Sequence, residues 1–307
     1  MKIAVLYGGI SGEREVSLSS GKGIIQALKQ KGHEVIGVDF NPNKLEEILQ
    51  LKVDLVFIGL HGRYGEDGKL QGLLDMLGIP YVGSGVLASA LAMDKSKAKQ
   101  IFEKNNIPVA RSVTYTINQP SDVDVIKNSI KQTFQVPFVI KPNEEGSTLG
   151  LSIIENEEEI ESAIEKATKS DKNILVEKFV KGREVTVPVL GKPGEERALP
   201  IIEIIPKNAF YDYESKYAPG GSEHIVPAAI DNKLTMQIQE YAVLAHQALG
   251  CETYSRVDFI LGEDNVPIIL EVNTLPGMTP TSLFPDSAKS IGISYEDMIQ
   301  EFVQLSV

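Results

Sequence analysis

The chain has 307 residues, of which 42% are hydrophobic and 23% charged, a composition typical of a globular protein with two or three domains. Its 42 acidic and 30 basic residues give a net charge of −12, which argues against nucleic acid or an anionic membrane as the main partner. The single cysteine, Cys251, excludes a disulfide framework and a cysteine-based metal site. The N-terminal apolar run is too short for a signal peptide, and no stretch approaches a membrane span, so we expect a soluble cytoplasmic protein.

Residues 1–93 alternate predicted strands and helices. The alternation predicts a doubly wound parallel α/β sheet, with ligands at the carboxyl ends of its strands. Ser11, at the start of the first predicted helix, is expected to be its N-cap. Strands are predicted at residues 3–7, 34–40, 54–60 and 80–82, and helical segments before Gly32 and at 45–49 and 70–77.

After Asp94 the pattern changes to α+β. Residues 94–182 form the predicted central domain and residues 183–307 the predicted C-terminal domain. A polar, aromatic and glycine-rich stretch at 209–224 is expected to be a lid. Strands are predicted at 113–116, 137–141, 151–154 and 173–179, and helices at 95–105, 123–134, 157–167 and 235–249 and at the C-terminus.

Two apolar runs near the C-terminus predict a hairpin whose turn is 262–265. The first run carries Asp258; the second carries Glu271 and Asn273, which share a face because side chains alternate along a strand. These are the oxygen ligands that Mg²⁺ prefers, and a metal would offset the cost of burying carboxylates. The alternative is that they face solvent on one side of the hairpin.

Two glycine-rich turns are candidate ligand sites. The loop from Lys141 to Gly150 lies between two predicted strands, so its backbone N–H groups and Lys141 suit a phosphate; otherwise it is a flexible loop. Gly8-Gly9 follows the first strand and opens a helix, a place that favours an anion, whereas Glu13 there would attract a cation such as an ammonium group.

Three further segments allow either a ligand contact or a structural role. Gly83-Ser-Gly85-Val-Leu-Ala88 fits a dinucleotide fingerprint, but it follows the fourth strand, and no acidic residue ends a later strand at the right spacing. The strand end at Glu177 has backbone groups suited to an adenine edge, or simply solvated charges. His61 follows the third strand, where a ligand contact is reasonable, although a lone histidine is more often structural.

Taken in order, the motifs resemble the D-alanine–D-alanine ligase family of the ATP-grasp superfamily, from about residue 8 to about residue 290. The C-terminal run with Pro-Gly-Met-Thr is the most specific part of this resemblance. The motifs are Gly8-Gly9-x-Ser11-x-Glu13-x-x-Val16-Ser17, Leu60-His61-Gly62, Met93-Asp94-Lys95, Lys141-Pro-x-x-Glu145-Gly146-Ser147, Tyr211-Asp-Tyr-x-x-Lys216-Tyr217, Arg256-x-Asp258 and Glu271-x-Asn273-Thr-x-Pro276-Gly277-Met-Thr-x-x-Ser282-Leu283.

The resemblance implies that the central and C-terminal domains are the two α+β subdomains of an ATP-grasp fold with ATP between them. It further implies that Asp258, Glu271 and Asn273 hold two Mg²⁺ ions, which Mn²⁺ can replace. The residues implied for ATP are Lys95, Lys141 and Lys216 at the phosphates, Glu177, Lys178, Phe179 and Val180 at adenine, and Glu184 at the ribose.

For the chemistry, the resemblance implies that one D-alanine carboxylate attacks the γ-phosphate and that the amine of a second D-alanine attacks the resulting acyl phosphate. The resemblance also implies that Tyr217 favours the dipeptide over D-alanyl-D-lactate as the product. The implied residues are Glu13 at the first ammonium, Glu13, Ser147 and Tyr217 as a hydrogen-bonded set, Arg256 and the Gly277 N–H at the oxyanion, Ser282 and Leu283 at the second carboxylate, and His61 as a further substrate contact.

A peptidoglycan-precursor ligase acting on two D-alanines and ATP, as a homodimer through the N-terminal domain, is therefore the leading expectation. Its nearest rival is another ATP-grasp carboxylate–amine ligase or a D-alanine–D-lactate ligase. An NAD-dependent oxidoreductase built on Gly83–Ala88 and a non-catalytic nucleotide-binding module are the alternatives from other classes.

Overall fold

The computed structural model describes residues 1–146, 149–206 and 222–307, which contain three β-sheets. The N-terminal sheet has four parallel strands, as predicted. Its elements are β1 (Lys2–Gly8), α1 (Arg14–Gln30), β2 (Glu34–Phe40), α2 (Glu46–Leu49), β3 (Leu55–Ile58), α3 (Lys69–Leu77), β4 (Tyr81–Val82) and α4 (Val86–Met93). The strand order is β2-β1-β3-β4, so the strand order reverses beside β1.

The predicted N-cap of the first helix is wrong. Glu13, not Ser11, precedes the first helical residue, Arg14, and no side chain caps that end. The Ser11 hydroxyl instead donates a hydrogen bond to the carbonyl of His61 at 2.8 Å and accepts the N–H of Glu13. A long-range contact therefore replaces the local capping bond and ties the turn after β1 to the end of β3.

The central sheet has four antiparallel strands in the order β5-β8-β6-β7. Two helices cover one face of this sheet, and their buried Ile130 and Ile164 pack in one core with Phe138 of β6. A 3-10 turn, Glu157–Glu159, precedes the second of them, where one continuous helix is predicted. The elements are α5 (Lys95–Lys104), β5 (Ser112–Thr116), α6 (Asp122–Thr133), β6 (Phe138–Pro142), β7 (Ser152–Ile154), α7 (Ile160–Thr168) and β8 (Asn173–Lys178).

The C-terminal sheet is also antiparallel, in the order β12-β11-β9-β13-β14, with β10 added to β9. Gly250, at φ +72°, ends its long helix as predicted. The elements are β9 (Gly182–Gly191), β10 (Arg197–Ala198), β11 (Ile202–Pro206), β12 (Ser222–Ile225), α8 (Asn232–Leu249), β13 (Thr253–Gly262), β14 (Pro267–Asn273), α9 (Leu283–Ser290) and α10 (Tyr295–Leu305).

The hydrophobic cores do not follow chain order. Ala88 of α4 and Phe102 of α5 pack with the C-terminal sheet, around Phe259. In the other direction, Phe302 of α10 packs in the core of the N-terminal sheet. The division of the chain into domains at 1–93, 94–182 and 183–307 remains a proposal. The first and the last of these segments each contribute a helix to the core of the other. Within the described ranges, no helix is long and apolar enough to cross a membrane.

A β-bulge sets the direction of one predicted site residue. Asp258 pairs with Glu271, whereas Phe259 pairs with Ile269, so Leu270 is an extra residue on β14. Ile269 is fully buried in the core, and strict alternation would send Glu271 the same way. The extra residue reverses the alternation and places Glu271 beside Asp258 on the polar face of the sheet.

Candidate active site

The polar face of the β13–β14 hairpin brings the predicted acidic residues together. Arg256 lies opposite Asn273, and Asp258 lies opposite Glu271. The Arg256 guanidinium donates from Nε and Nη2 to the two oxygens of Asp258, at 2.9 and 2.8 Å, and Asn273 Nδ2 donates to Asp258 at 2.9 Å. Thr186 of β9 donates to the same carboxylate. Asp258 is therefore a buried anion held by four donors.

These side chains fit a hard metal ion in donor chemistry. Asp258, Glu271 and Asn273 supply carboxylate and amide oxygens on one face, and the positive charges of Arg256 and Lys95 already lie against the two carboxylates. A metal would compete with those cations for the same oxygens. No group of three or more His, Cys, Asp and Glu side chains in the described part of the chain is placed to hold a metal, so the set depends on the Asn273 amide.

Lys95 connects this hairpin to the predicted phosphate loop. Its Nζ lies 3.2 Å from Glu271 Oε2 and donates to the Glu145 carbonyl at 2.8 Å. The loop itself is fixed by Asn143, whose side chain accepts the N–H of Ser96 and donates to Asp94 Oδ1. The same Asp94 side chain caps α5, which begins at Lys95. Capping thus aligns the lysine with the loop.

Lys141 and Glu177 form a buried ion pair on neighbouring strands, and Lys99 of α5 completes it. Lys141 donates to Glu177 Oε1, and Lys99 Nζ lies 2.8 Å from Glu177 Oε2. Burial alone would raise the pKa of Glu177, but the two lysines lower this pKa to about 2. Burial lowers the pKa of Lys99, against the pull of Glu177. Lys99 was not identified from the sequence, because a lysine on a polar helix reads as solvated.

Glu13 projects from the N-terminal domain toward the phosphate loop. It is buried, and its Oε2 lies so close to Gly146 that a Cβ on that glycine would come within 2.9 Å. Gly62 borders it on the other side, where a Cβ would lie 3.3 Å from the same oxygen. A side chain at either position would crowd this carboxylate, more closely at Gly146 than at Gly62.

His61 has both ring nitrogens occupied by protein groups. Nδ1 lies 2.9 Å from the Leu275 carbonyl, which can only accept, so Nδ1 carries the proton. Nε2 then accepts the hydroxyl of Ser20 at 3.0 Å. Burial lowers the pKa of His61, which favours this neutral form. The geometry favours a positioning role, and its direct contact with substrate stays a prediction.

The segment after Asn273 forms the predicted second-substrate region. The Met278 N–H donates to Ser20 Oγ at 3.2 Å, and the Met278 carbonyl accepts the hydroxyl of Tyr295 at 2.6 Å. Gly277 directly precedes this anchored residue and lies against Ser282, whose Oγ would be 3.2 Å from an added Cβ. Ser282 is the N-cap residue of α9, but its side chain makes no capping hydrogen bond. The N–H of Leu283 lies in the first turn of this helix, where backbone N–H groups favour a carboxylate.

Glu66 is a buried acid that the sequence did not single out. Its carboxyl group accepts the N–H of Gly62 at 2.6 Å and that of Leu275 at 3.4 Å, joining the two domains. Burial first, and then the nearby charge of Glu13, raises the pKa of Glu66 to about 8. Its Gly-Glu-Asp-Gly context reads as an exposed turn, so only the fold reveals the burial.

The remaining predicted nucleotide residues lie along strand ends. Lys178 is exposed at the end of β8, followed by half-buried Phe179 and Val180. Glu184 is half-buried on β9, two residues before Thr186, and therefore on the face that carries Asp258. Three predicted site residues, and most of the predicted lid, lie outside the described residues: Ser147, Lys216 and Tyr217.

The dinucleotide-like turn leads into α4 as expected. Gly83 has φ +110°, and the cavity beside it is lined by Asp75 and Glu252. Two carboxylates there would repel a pyrophosphate. This argues against the NAD alternative at this turn.

Comparison with protein families matches the chain to two models. The model described as D-ala D-ala ligase C-terminus matches residues 101–304, and the one described as D-ala D-ala ligase N-terminus matches residues 41–84. A D-alanine–D-alanine ligase of Halalkalibacterium halodurans is 62% identical, with 100% of this chain and 99% of the relative covered. One from Carboxydothermus hydrogenoformans is 46% identical, covering 100% and 98%.

Solved structures give the same grouping. The D-Ala:D-Ser ligase VanG from Enterococcus faecalis matches with a TM-score of 0.86 and 33% identity, covering 100% of this chain and 99% of that one. The D-alanine–D-alanine ligase from Bacillus anthracis, complexed with ATP, matches with a TM-score of 0.83 and 32% identity, covering 100% and 97%.

Proposed function

The chain belongs to the D-alanine–D-alanine ligase family, and we propose that it joins two D-alanine molecules into D-alanyl-D-alanine at the expense of ATP, for peptidoglycan precursor synthesis. The observation that carries this proposal is the position of Lys95. One buried cation contacts both the loop suited to phosphates, at the Glu145 carbonyl, and the acidic hairpin, at Glu271. ATP phosphates placed between them would meet Lys95 and the nearby Lys141.

The first step joins two anions, because the carboxylate of one D-alanine attacks the γ-phosphate to give an acyl phosphate and ADP. Lys95 and Lys141 would neutralise part of that charge. When bound at Asp258, Glu271 and Asn273, Mg²⁺, or Mn²⁺ in its place, would neutralise the rest and orient the phosphates. Glu13, beside Gly146, would hold the ammonium group of the same D-alanine and so aim its carboxylate at the phosphate.

In the second step the amine of the other D-alanine attacks the acyl carbon, and inorganic phosphate leaves. The tetrahedral oxyanion needs donors that are already in place. Arg256 supplies a guanidinium that is partly buried and fixed by Asp258, and Gly277 supplies a backbone N–H. Ser282 and the first turn of α9 at Leu283 would take the second carboxylate.

The adenine end of ATP would lie against Glu177 and residues 178–180, with Glu184 at the ribose. In this structure both Lys99 and Lys141 form ion pairs with Glu177. Lys216 and Tyr217 would act from the lid, the first on the γ-phosphate and the second with Glu13 and Ser147. A closed lid would keep water away from the acyl phosphate.

Phosphate release separates the proposed reaction from its close rivals. With ATP and Mg²⁺ at neutral pH, D-alanine alone should give phosphate and D-alanyl-D-alanine in equal amounts. Adding D-lactate or D-serine should leave the dipeptide as the main product, D-serine being included because VanG is a D-Ala:D-Ser ligase. A mixed product that dominates at neutral pH would assign the chain to a rival ligase, and no ATP turnover would contradict the proposal.

The proposal includes a cytoplasmic location, because the reaction consumes ATP, and a homodimer formed through the N-terminal domain. Analytical ultracentrifugation at the protein concentration of the activity assay tests the homodimer. A mass of about twice the 33.5 kDa of one chain is expected, and a monomer under assay conditions would contradict it.

A further inference from the structure

We propose that Lys99 is a positioning residue for nucleotide choice. As the lasting counter-ion of Glu177, it keeps that carboxylate available as a hydrogen-bond acceptor for a purine with a 6-amino group when Lys141 turns toward the triphosphate. This inference rests on the proposed function, and adds to it a residue that contacts neither substrate.

The geometry gives each oxygen of Glu177 its own lysine. Lys141, from the neighbouring strand β6, donates to Oε1. Lys99, from α5, lies 2.8 Å from Oε2, and its Nζ also donates to the Ala110 carbonyl at 3.3 Å. Lys99 is 3% exposed and Glu177 4%, so water does not compete for either group. The hydrogen bond to the Ala110 carbonyl gives the Lys99 amine a second contact besides its ion pair with Glu177.

The charges of this cluster are unequal. Two lysines face one carboxylate, and the other charged group acting on Lys99 is Glu103, an exposed residue one turn further along α5. If Lys141 moves to the ATP phosphates, a buried carboxylate without Lys99 would lose its last cation. A buried carboxylate in that state takes up a proton, because the charged form is poorly solvated. Lys99 prevents this protonation, because its ion pair with Glu177 remains after Lys141 has moved.

The vacated oxygen defines the ligand class. With Lys99 on Oε2, departure of Lys141 frees Oε1 to accept one more hydrogen bond. An ionised carboxylate can only accept, so it suits the 6-amino donor of adenine and repels the 6-oxo acceptor of guanine. A protonated Glu177 would present an O–H and lose this distinction. Both lysines favour the ionised form, because they lower the pKa of Glu177 against the opposing effect of burial.

The test compares ATP with purine riboside triphosphate, which lacks the 6-amino group, as phosphate donors for D-alanine ligation. The variants are K99M, the conservative K99R, and K97M as a matched control, because Lys97 is exposed on the same helix. A hydrogen bond to a charged group corresponds to a preference of roughly 10- to 100-fold. K99M should lose most of the wild-type preference for ATP, while K99R and K97M should keep it.

The pH profile separates positioning from a purely structural role. In K99M one cation is lost while burial remains, so the pKa of Glu177 rises. KM for ATP in K99M should then increase as pH falls, and KM for purine riboside triphosphate should not. Wild type and K97M should show no such ATP-specific increase. An unchanged ATP preference together with a flat ATP KM in K99M would overturn the proposal, while wild-type ligation of D-alanine would leave the proposed function standing.

A second background guards against misfolding of K99M. In E177Q no buried carboxylate needs a counter-ion, so adding K99M should leave the ratio of ATP to purine riboside triphosphate where E177Q alone puts it. A further change of that ratio, as large as K99M causes in the wild type, would show that Lys99 acts independently of Glu177 and would also overturn the proposal.

Discussion

At the scale of single residues, Arg256 has two assignments that an experiment can separate. It holds Asp258 through two hydrogen bonds, and it is proposed to meet the oxyanion of the second step. Both roles use the planar fork of a guanidinium, which lysine cannot reproduce. The hairpin motif predicted Arg256 and Asp258 as site residues, but their bidentate pairing follows from the fold.

R256A should lower kcat by about 100-fold or more, the cost of removing one oxyanion donor. ATP affinity should change much less, because Asn273 and Thr186 still hold Asp258. R256K should recover little of the rate. Steady-state kinetics with D-alanine, and ATP titration measured separately, check this. Equal losses of kcat and ATP affinity would contradict the oxyanion role.

Glu66 should make stability depend on pH. Burial, followed by the charge of Glu13, raises the folded-state pKa to about 8, whereas its ordinary value is 4.5. Between these values the folded state holds a proton that the unfolded chain releases, so the free energy of unfolding falls as pH rises, by up to ~1.4 kcal/mol per unit. E66Q should flatten this dependence between about pH 5 and pH 8. Urea denaturation of both proteins across this pH range measures the free energy of unfolding. An unchanged slope in E66Q would refute the assignment.

At the scale of elements, the segment 275–278 is held from two sides. Ser20 of α1 accepts the Met278 N–H and donates to His61, which in turn donates to the Leu275 carbonyl. Tyr295 at the start of α10 donates to the Met278 carbonyl. Gly277 is therefore placed by two helices that are far apart in the sequence.

S20A should leave the Met278 N–H and His61 Nε2 without partners, costing ~1–3 kcal/mol of stability. Looser placement of Gly277 should lower kcat about 10-fold, since that corresponds to ~1.4 kcal/mol of lost transition-state stabilisation, and KM for ATP should change little. S19A, one residue away and exposed, is the matched control. If both variants keep wild-type kcat, the segment does not depend on Ser20.

The local pattern of apolar residues predicted most helices and strands. It did not predict features that depend on contacts between distant segments. The run Ile3-Ala4-Val5-Leu6 predicted β1, and the apolar runs around residues 262–265 predicted the C-terminal hairpin. The Leu270 bulge was not predicted, because nothing in the residue types of β14 marks an extra residue. The Ser11 cap failed because a contact with His61, fifty positions away, satisfied the hydroxyl instead.

At the scale of the whole molecule, the site forms where three sheets meet. Glu13 and Glu66 come from the N-terminal segment, Lys95 and the phosphate loop from the central one, and Asp258 from the C-terminal hairpin. The motifs along the chain predicted Glu13, Lys95, the phosphate loop and Asp258 as site residues, but not Glu66. Packing of α10 on the N-terminal sheet, and burial of Lys99 and Glu66, follow from tertiary contacts that no local pattern encodes.

The central claim is that a D-alanine carboxylate attacks the γ-phosphate of ATP. Ligation with D-alanine labelled with ¹⁸O in its carboxyl group, followed by mass spectrometry of the released phosphate, tests it most directly. One labelled oxygen should appear in inorganic phosphate for each dipeptide formed. The carboxylate oxygen that attacked the γ-phosphate bridges carbon and phosphorus in the acyl phosphate, and it leaves with the phosphate. Unlabelled phosphate alongside dipeptide, or label found in AMP, would contradict the mechanism.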